Sequence, residues 1–215
     1  MAVALPNGSI ISIASGYGSP VTLSAITNAD PGVVTAAAHG FSDGDIIEVT
    51  SGWARLTEKA VRVDNGTTNT FELEGVDTTS TTIYPNGGGA GTAREVTGWP
   101  QLAQVLTTSS EGGEQQFATY QFLESDQEKR LPTSKSAGGL TIGIADDPTL
   151  PGYILASAAN DDRLPRIVRI QLANGGSIYY NAYITLNKTP SLTVNEVMAC
   201  QVTLSFLAEP TRYAA

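Results

Sequence analysis

The chain of 215 residues holds one cysteine, Cys200, and one histidine, His39. A single thiol excludes an internal disulfide and a thiolate metal cluster. Cys200 lies in an alternating apolar run and reads as a buried structural thiol. A single histidine leaves nucleophilic catalysis only Asp43 or Asp45 as a nearby orienting acid, and AAHGFSDGD reads instead as a tight polar turn. Charge is sparse as well. Asp, Glu, Lys and Arg make up 15% of the chain, where soluble domains carry about a quarter. No run of about 18 apolar residues is present, so no segment reads as a membrane-spanning helix and no membrane insertion is expected. The opening MAVALPNGSIISIAS lacks a basic stretch followed by an apolar core, so it does not read as a secretory signal.

Thr, Ser, Gly and Asn fill the gap, beside an ordinary 41% of apolar residues. That mixture suits β-structure with many turns. A low-charge surface is also what remains when partners cover much of it. The net charge of −9 excludes a basic face for nonspecific nucleic-acid binding. The charge is uneven. Residues 1–96 hold ten acids and four bases, net −6; residues 97–215 hold eleven and eight, net −3. The difference points to two modules.

Near the end of the chain, CQVTLSFLAEP (200–210) alternates. In a strand, Cys200, Val202, Leu204 and Phe206 point one way and Gln201, Thr203 and Ser205 the other. One face is core, and the other is small, neutral and unreactive. Period-two runs also mark GSIISIA (8–14), DIIEVT (45–50), residues 61–63 and 70–73, EQQFATYQFLES (114–125) and LTIGIA (140–145). Asn65-Gly66 predicts a hairpin turn, and Asn174-Gly175-Gly176 closes a second hairpin over 166–187. Leu102, Val105 and Leu106 suggest a short strand or bend. Residues 125–137 are polar and of mixed charge, and read as a long loop between strands. The one helix falls on DDPTLPGYILASAANDD, with Asp147 as N-cap, Pro148 in the first turn and an apolar stripe of Tyr153, Ile154, Leu155 and Ala158. This order predicts a mainly β fold: a β-sandwich or partly open barrel with one packed helix. Residues 20–96 read as a separate small β module, bounded by Pro20 and the glycine-rich run 87–91. That run reads as a flexible return, since no strand, helix and lysine frame it as a phosphate loop.

No residue set carries a recognisable chemistry. Asp43-Gly44-Asp45 offers oxygen ligands, but the later positions of a calcium loop do not follow. Asp146-Asp147 is expected to cap the helix, and Asp161-Asp162 to be solvated or paired with Arg163 or Arg166. Trp53 and Trp99 each adjoin a glycine and read as packing anchors. Together with Tyr84 they are also the stacking residues of an alternative, a carbohydrate- or host-surface-binding β-protein. A small hydrolase using acids alone is a third reading. No catalytic, metal-binding or cofactor-binding residues are expected.

The order of elements from Gly98 to Pro210 resembles the major tail tube protein of long-tailed, non-contractile, lambda-like bacteriophages. GWPQLAQVLTTSSEGGE, the acidic stretch ESDQEKRLPTSKSAGGLTIGIA with its KSAG turn, the helix segment, the hairpin PRIVRIQLANGGSIYYNAYIT and the final strand TVNEVMACQVTLSFLAEP follow in that family's sequence. GSIISIASGYG is similar to its opening strand. The resemblance covers 1–19 and 97–215. Residues 20–96 depart from it and interrupt the first loop.

The resemblance implies six-membered rings of this chain, stacked into a tube through which DNA leaves the capsid. Neighbouring sheets join into one continuous inner barrel, with Gln201, Thr203 and Ser205 on the self-association strand. The segment 125–137, with Asp126, Glu128, Lys129, Arg130, Lys135 and Ser136, is expected to be mobile in the free chain and ordered by the next ring. Further implied partners are tail tip or baseplate and terminator proteins, a tape measure protein in the lumen, and genomic DNA passing without specific binding. The expected location is the virion tail, assembled in the host cytoplasm, with the 20–96 module on the tube exterior.

Overall fold

The computed structural model describes residues 7–215. Sixteen strands and one helix follow one another along it: β1 (Ile10–Ile13), β2 (Val21–Leu23), β3 (Ala25–Ile26), β4 (Gly32–Thr35), β5 (Ile46–Ser51), β6 (Lys59–Asp64), β7 (Thr70–Leu73), β8 (Gly91–Glu95), β9 (Val105–Glu111), β10 (Gln115–Tyr120), β11 (Lys129–Lys135), β12 (Gly139–Ala145), α1 (Pro151–Asp162), β13 (Arg166–Gln171), β14 (Ser177–Asn187), β15 (Ala199–Phe206) and β16 (Thr211–Tyr213). The fold is mainly β with one helix, as the pattern of short alternating runs implies.

The first large sheet runs β1-β13-β14-β15-β12-β9, with β16 beside β14. All its ladders are antiparallel. The eleven-residue β14 is shared: Ser177 to Ala182 pair with β13, and Ala182 to Asn187 pair with β15. The sheet therefore curls about β14. Ile11, Ile13 and Val168 from one side meet Ile142, Ile144, Cys200, Val202 and Leu204 from the other in one buried cluster. The result is a partly open barrel, and α1 packs on β14 and β1. The helix meets this core through Ala156 and Ala159.

The second sheet runs β2-β8-β5-β6-β7-β4-β3. Its two end strands are separated in sequence only by Ser24, whose N–H and hydroxyl both donate to Thr35 O (2.9 Å each). The sheet thus closes on itself, and closure removes exposed strand edges. Its core holds Trp53, Phe71, Leu56, Ile47 and Leu73, all drawn from residues between Val21 and Ala93. Trp53 is fixed by its indole N–H donating to Pro85 O (2.8 Å) and by an edge contact with Tyr84.

The chain enters and leaves this second sheet side by side. Gly18 N–H donates to Glu95 O, Thr97 N–H to Gly16 O, and Ser15 N–H to Gly98 O. A third buried cluster joins the two sheets: Ala14, Ile46, Ala60, Val96, Ile167, Tyr179 and Tyr213, with Tyr17 and Trp99 packed against it.

Several expectations need correction. The run 87–91 is no flexible return. A Cβ on Gly91 would strike the Thr50 carbonyl, and one on Gly89 would meet the Trp53 ring, so these glycines are there for close packing. The helix begins at Pro151, capped by Leu150 without a side-chain bond. Asp147 instead accepts from Thr149 N–H (3.0 Å) and hydroxyl (2.6 Å), closing a turn ahead of the helix. The buried stripe is Gly152, Ala156 and Ala159, while Ile154 is exposed. Small residues face the sheet because Gly152 lies against the Gln101–Leu102 backbone, where a Cβ would clash. Of the short strand or bend read over Leu102, Val105 and Leu106, the last two open β9, which runs on to Glu111, while Leu102 lies before it.

Candidate assembly surfaces

Residues 114–136 form a two-stranded arm rather than a loop. β10 pairs with β11 from Gln115↔Lys135 to Tyr120↔Lys129, with a bulge after Gln115. Nearly every residue of the two strands is exposed. The loop reading of 125–137 therefore fails for 129–135. A strand exposed on both faces has no hydrophobic alternation, so its sequence carries no strand signal. Lys129 and Arg130 sit near the tip, opposite Tyr120 and Thr119, and the Lys129 ammonium lies over the Phe122 ring (5.4 Å). Asp126 and Glu128 occupy the tip connection. Lys135 and Ser136 are at the base. Ser136 Oγ accepts from Glu114 N–H (3.0 Å), and Lys135 pairs with Glu209 on the body. The structure thus divides the six predicted residues between the two ends of the arm. The hydrogen bond from Lys135, helped by Lys59 and Arg55 nearby, holds the Glu209 carboxyl below the usual carboxylate range. Glu209 was not singled out from sequence, because nothing local marks it.

The arm also exposes Phe117, Tyr120, Phe122, Leu123 and Leu131. Alternation over 114–125 suggested one buried face. Here both faces are outside, since the pair has no third strand or core beneath it.

Gln201, Thr203 and Ser205 lie on β15, inside the curled sheet between β14 and β12, so what they offer is a face and not an edge. Register extends that face across four strands. Thr185, Thr203, Thr141 and Ser109 form one row; Asn187, Gln201, Gly143 and Thr107 form the next; Tyr183, Ser205, Gly139 and Glu111 form a third. Among these twelve positions Glu111 alone is charged. On β14, β15 and β12 the opposite face is the buried core, whereas β9 is exposed along its whole length.

Between the sheets lies a polar network built on the buried Asn181, Glu48 and Tyr213. Asn181 Nδ2 donates to Glu48 Oε1 (3.0 Å) and Glu58 O (2.9 Å), and Arg94 Nε donates to Glu48 Oε2 (2.6 Å). The Arg94 guanidinium stacks on Tyr17 (4.0 Å), whose hydroxyl accepts from Ile167 N–H (2.9 Å). Tyr213 OH accepts from Arg62 N–H (2.8 Å) and donates to Glu74 O (3.2 Å). Arg62 covers the Tyr213 ring (4.3 Å) and pairs with Glu74. Burial pushes the Tyr213 phenol up to about 12 and raises the Tyr17 phenol as well.

The residues weighed for chemistry have structural partners. His39 is buried against Phe41 and Phe71, and its Nδ1 accepts from Phe41 N–H (3.1 Å). Asp43 accepts from Gly66 N–H, and Asp45 from Ser42 N–H. Asp162 pairs with Arg166, and Asp161 with Lys188. Cys200 is buried, and burial together with Asp146 raises its thiol pKa. Trp53 and Tyr84 are buried and packed on each other, and Trp99 is stacked by Arg169 (4.6 Å). They offer no open platform for a sugar ring. Among the described residues, no group of three metal-ligating side chains converges and no helix is long and apolar enough to cross a membrane.

These surfaces define a class: a β-rich scaffold whose outward features are a neutral sheet face and a projecting arm. The chain belongs to the phage tail tube protein family (TTP), which it matches over residues 51–215. It is a structural protein of a bacteriophage tail. No curated protein matches it. Solved structures similar to it include the tail of an empty GTA particle refined with C6 symmetry (10% identity, 54% of this chain and 87% of that chain, TM-score 0.43). Others are the virion of a native gene transfer agent particle (10%, 54% and 89%, 0.43) and the tube-terminating cap of the anti-feeding prophage (22%, 50% and 79%, 0.36).

Proposed function

We propose that this chain assembles into six-membered rings that stack into the tail tube, with the outer face of β14, β15, β12 and β9 lining the channel. The observation that carries this reading is the three-row neutral face. An exposed sheet face of hydroxyls, amides and glycine holds no cation to trap a passing phosphate backbone, and phosphate contacts to Lys and Arg dominate affinity for DNA. The face has no reactive pair, in keeping with a non-catalytic role. The arm supports the same reading. An isolated two-stranded hairpin is marginal in water, and this one displays five large apolar side chains. It reaches a neighbouring copy, in the next ring, through its tip residues Asp126, Glu128, Lys129 and Arg130, while Lys135 and Ser136 anchor its base.

Residues 20–96 form a module inserted into a tube domain of 1–19 and 97–215. Its closed sheet has its own core, and its entry and exit run side by side. The family match begins at residue 51, inside this segment, so the division rests on the sheets alone. The module packs on the Ile167, Tyr179 and Asn181 side of β13 and β14. Tyr179 and Asn181 share their face of β14 with Tyr183 and Thr185, so the module flanks the neutral rows at the β13 end of that face. An exterior position is supported by the entry and exit running side by side, as suits a surface insertion. Tape measure protein and then DNA occupy the channel; tail tip and terminator proteins meet the ends; assembly takes place in the host cytoplasm.

Electron microscopy of the purified chain at high concentration tests the reading. Hollow tubes or rings of uniform bore are expected. Strictly solitary particles under all conditions would refute it.

A further inference from the structure

The seam of the partly open barrel is closed only in part. Leu102 N–H donates to Ile11 O (2.8 Å) and Ile13 N–H to Pro100 O (3.1 Å), so the chain leading into β9 covers the outer edge of β1 there. Beside that closure, between Ser9–Ile11 and the start of β9, lies a cleft of about 490 Å3. Ile11, Leu140, Ile170, Leu172 and Ile178 line it, and among the described residues no charged side chain does. Val105 and Leu106 stand exposed at its rim.

The same chain displays strongly exposed apolar side chains. The loop 188–198, between β14 and β15, carries Leu192, Val194, Val197 and Met198, and Val194 is 86% exposed. Scattered apolar side chains are ordinary on a surface, but four within seven residues form a patch. The loop is built to present them. Ser191 N–H donates to Ala199 O (2.9 Å) at its base, and Glu196 N–H to Thr193 O (3.2 Å) at its tip.

Loop and rim share one end of the sheet. Cys200, just after the loop, is opposite Ile144, and Ile144 is opposite Val105. The loop lies over the β14–β15 end and the rim over β9, with β12 between. Copies standing side by side in a ring bring the loop of one to the rim of the next at the same height. Such a head-to-tail contact between two different surfaces is the kind that closes a ring.

We infer that residues 192–198 of one copy cover the β1–β9 cleft of the next copy. The inference rests on the ring reading above, which fixes copies side by side. It supplies a separate apolar contact that needs no strand pairing.

Single-cysteine exchange tests it. Chains carrying Val194→Cys and Leu106→Cys are mixed and oxidised; native Cys200 is fully buried and stays silent. A crosslinked dimer with one chain of each kind is expected, and each chain alone should stay largely uncrosslinked. Adding Leu192→Asp to the Val194→Cys chain should cut the dimer at least about tenfold. Its thermal midpoint should stay put, because Leu192 is exposed. Rings or tubes without the crosslink overturn the inference and leave the tube reading intact. A crosslink without rings or tubes keeps the contact and sinks the tube reading. Crosslinking of Leu106→Cys to Val3→Cys within one chain assigns the cleft to residues 1–6 and overturns the inference.

Discussion

Tyr213, two residues before Ala215, ties the short β16 to the second sheet. Its hydroxyl takes the Arg62 amide and gives to Glu74, and the ring lies under the Arg62 guanidinium. Burial is the main reason its phenol is raised to about 12. The folded state thus keeps this proton to higher pH than the unfolded chain, whose phenol titrates near 10. Stability from this group is complete below pH 10 and falls as the pH rises toward 12, by about 2–3 kcal/mol at most. Thermal unfolding followed between pH 9 and 12 should show the midpoint dropping over that window. Tyr213→Phe should start less stable and lose that part of the slope. Asn181 gives a second residue-scale test. Asn181→Ala strips the buried Glu48 carboxylate of a donor and should cost about 2–3 kcal/mol, read as a lower urea midpoint.

The arm is the element with the least support from its own chain. Burying neither face, it draws stability from its ladder, the Ser136 clasp and the Lys135–Glu209 pair. Phe117→Asp with Leu131→Asp removes exposed apolar surface only. The monomer's thermal midpoint should move by no more than about 0.5 kcal/mol equivalent. Tube yield under the microscope should collapse, and normal tubes would show the arm to be a solvated ribbon. Lys129→Glu with Arg130→Glu tests the tip the same way: shorter or fewer tubes are expected. The neutral face at Thr203 is the opposite case, supported from behind by Ile142, Val202 and Leu204. Thr203→Lys there should leave folding nearly unchanged, yet tubes built from it should hold DNA in a salt-sensitive way that wild-type tubes do not.

At the scale of the molecule, two sheets have two cores and one shared seam. Ile167, Tyr179, Ile46 and Ala60 meet in that seam, and the Asn181–Glu48 contact runs through it. Breaking it would strand buried polar groups, which is costly. Heating in a calorimeter should therefore give a single transition for the isolated subunit, and two resolved transitions would mean the seam is weak. Trp53→Ala, deep in the second core, should lower that single transition by about 3–5 kcal/mol. The closed second sheet has no edge to lend to a neighbour. In the curled first sheet the outer edge of β1 is taken by Pro100 to Leu102, which leaves β9 as the end strand without a further ladder among the described residues.

The sequence by itself determined the class of fold, most strands, the two hairpin turns and the structural reading of His39 and Cys200. These rest on local signals: side-chain alternation, Asn-Gly and Gly-Gly turns, and the scarcity of chemically active residues. Residue order alone also carried the likeness to tail tube proteins. Tertiary structure decided what local pattern cannot encode. It made 129–135 a strand, because that strand's only support is a ladder to β10 with no core to impose alternation. It turned the helix so that Gly152, Ala156 and Ala159 face inward, with Gly152 where the chain passing at Gln101 leaves no room for a Cβ. It gathered Thr185, Thr203, Thr141 and Ser109 from four distant strands into one neutral row, since register, and not sequence separation, decides which side chains stand together.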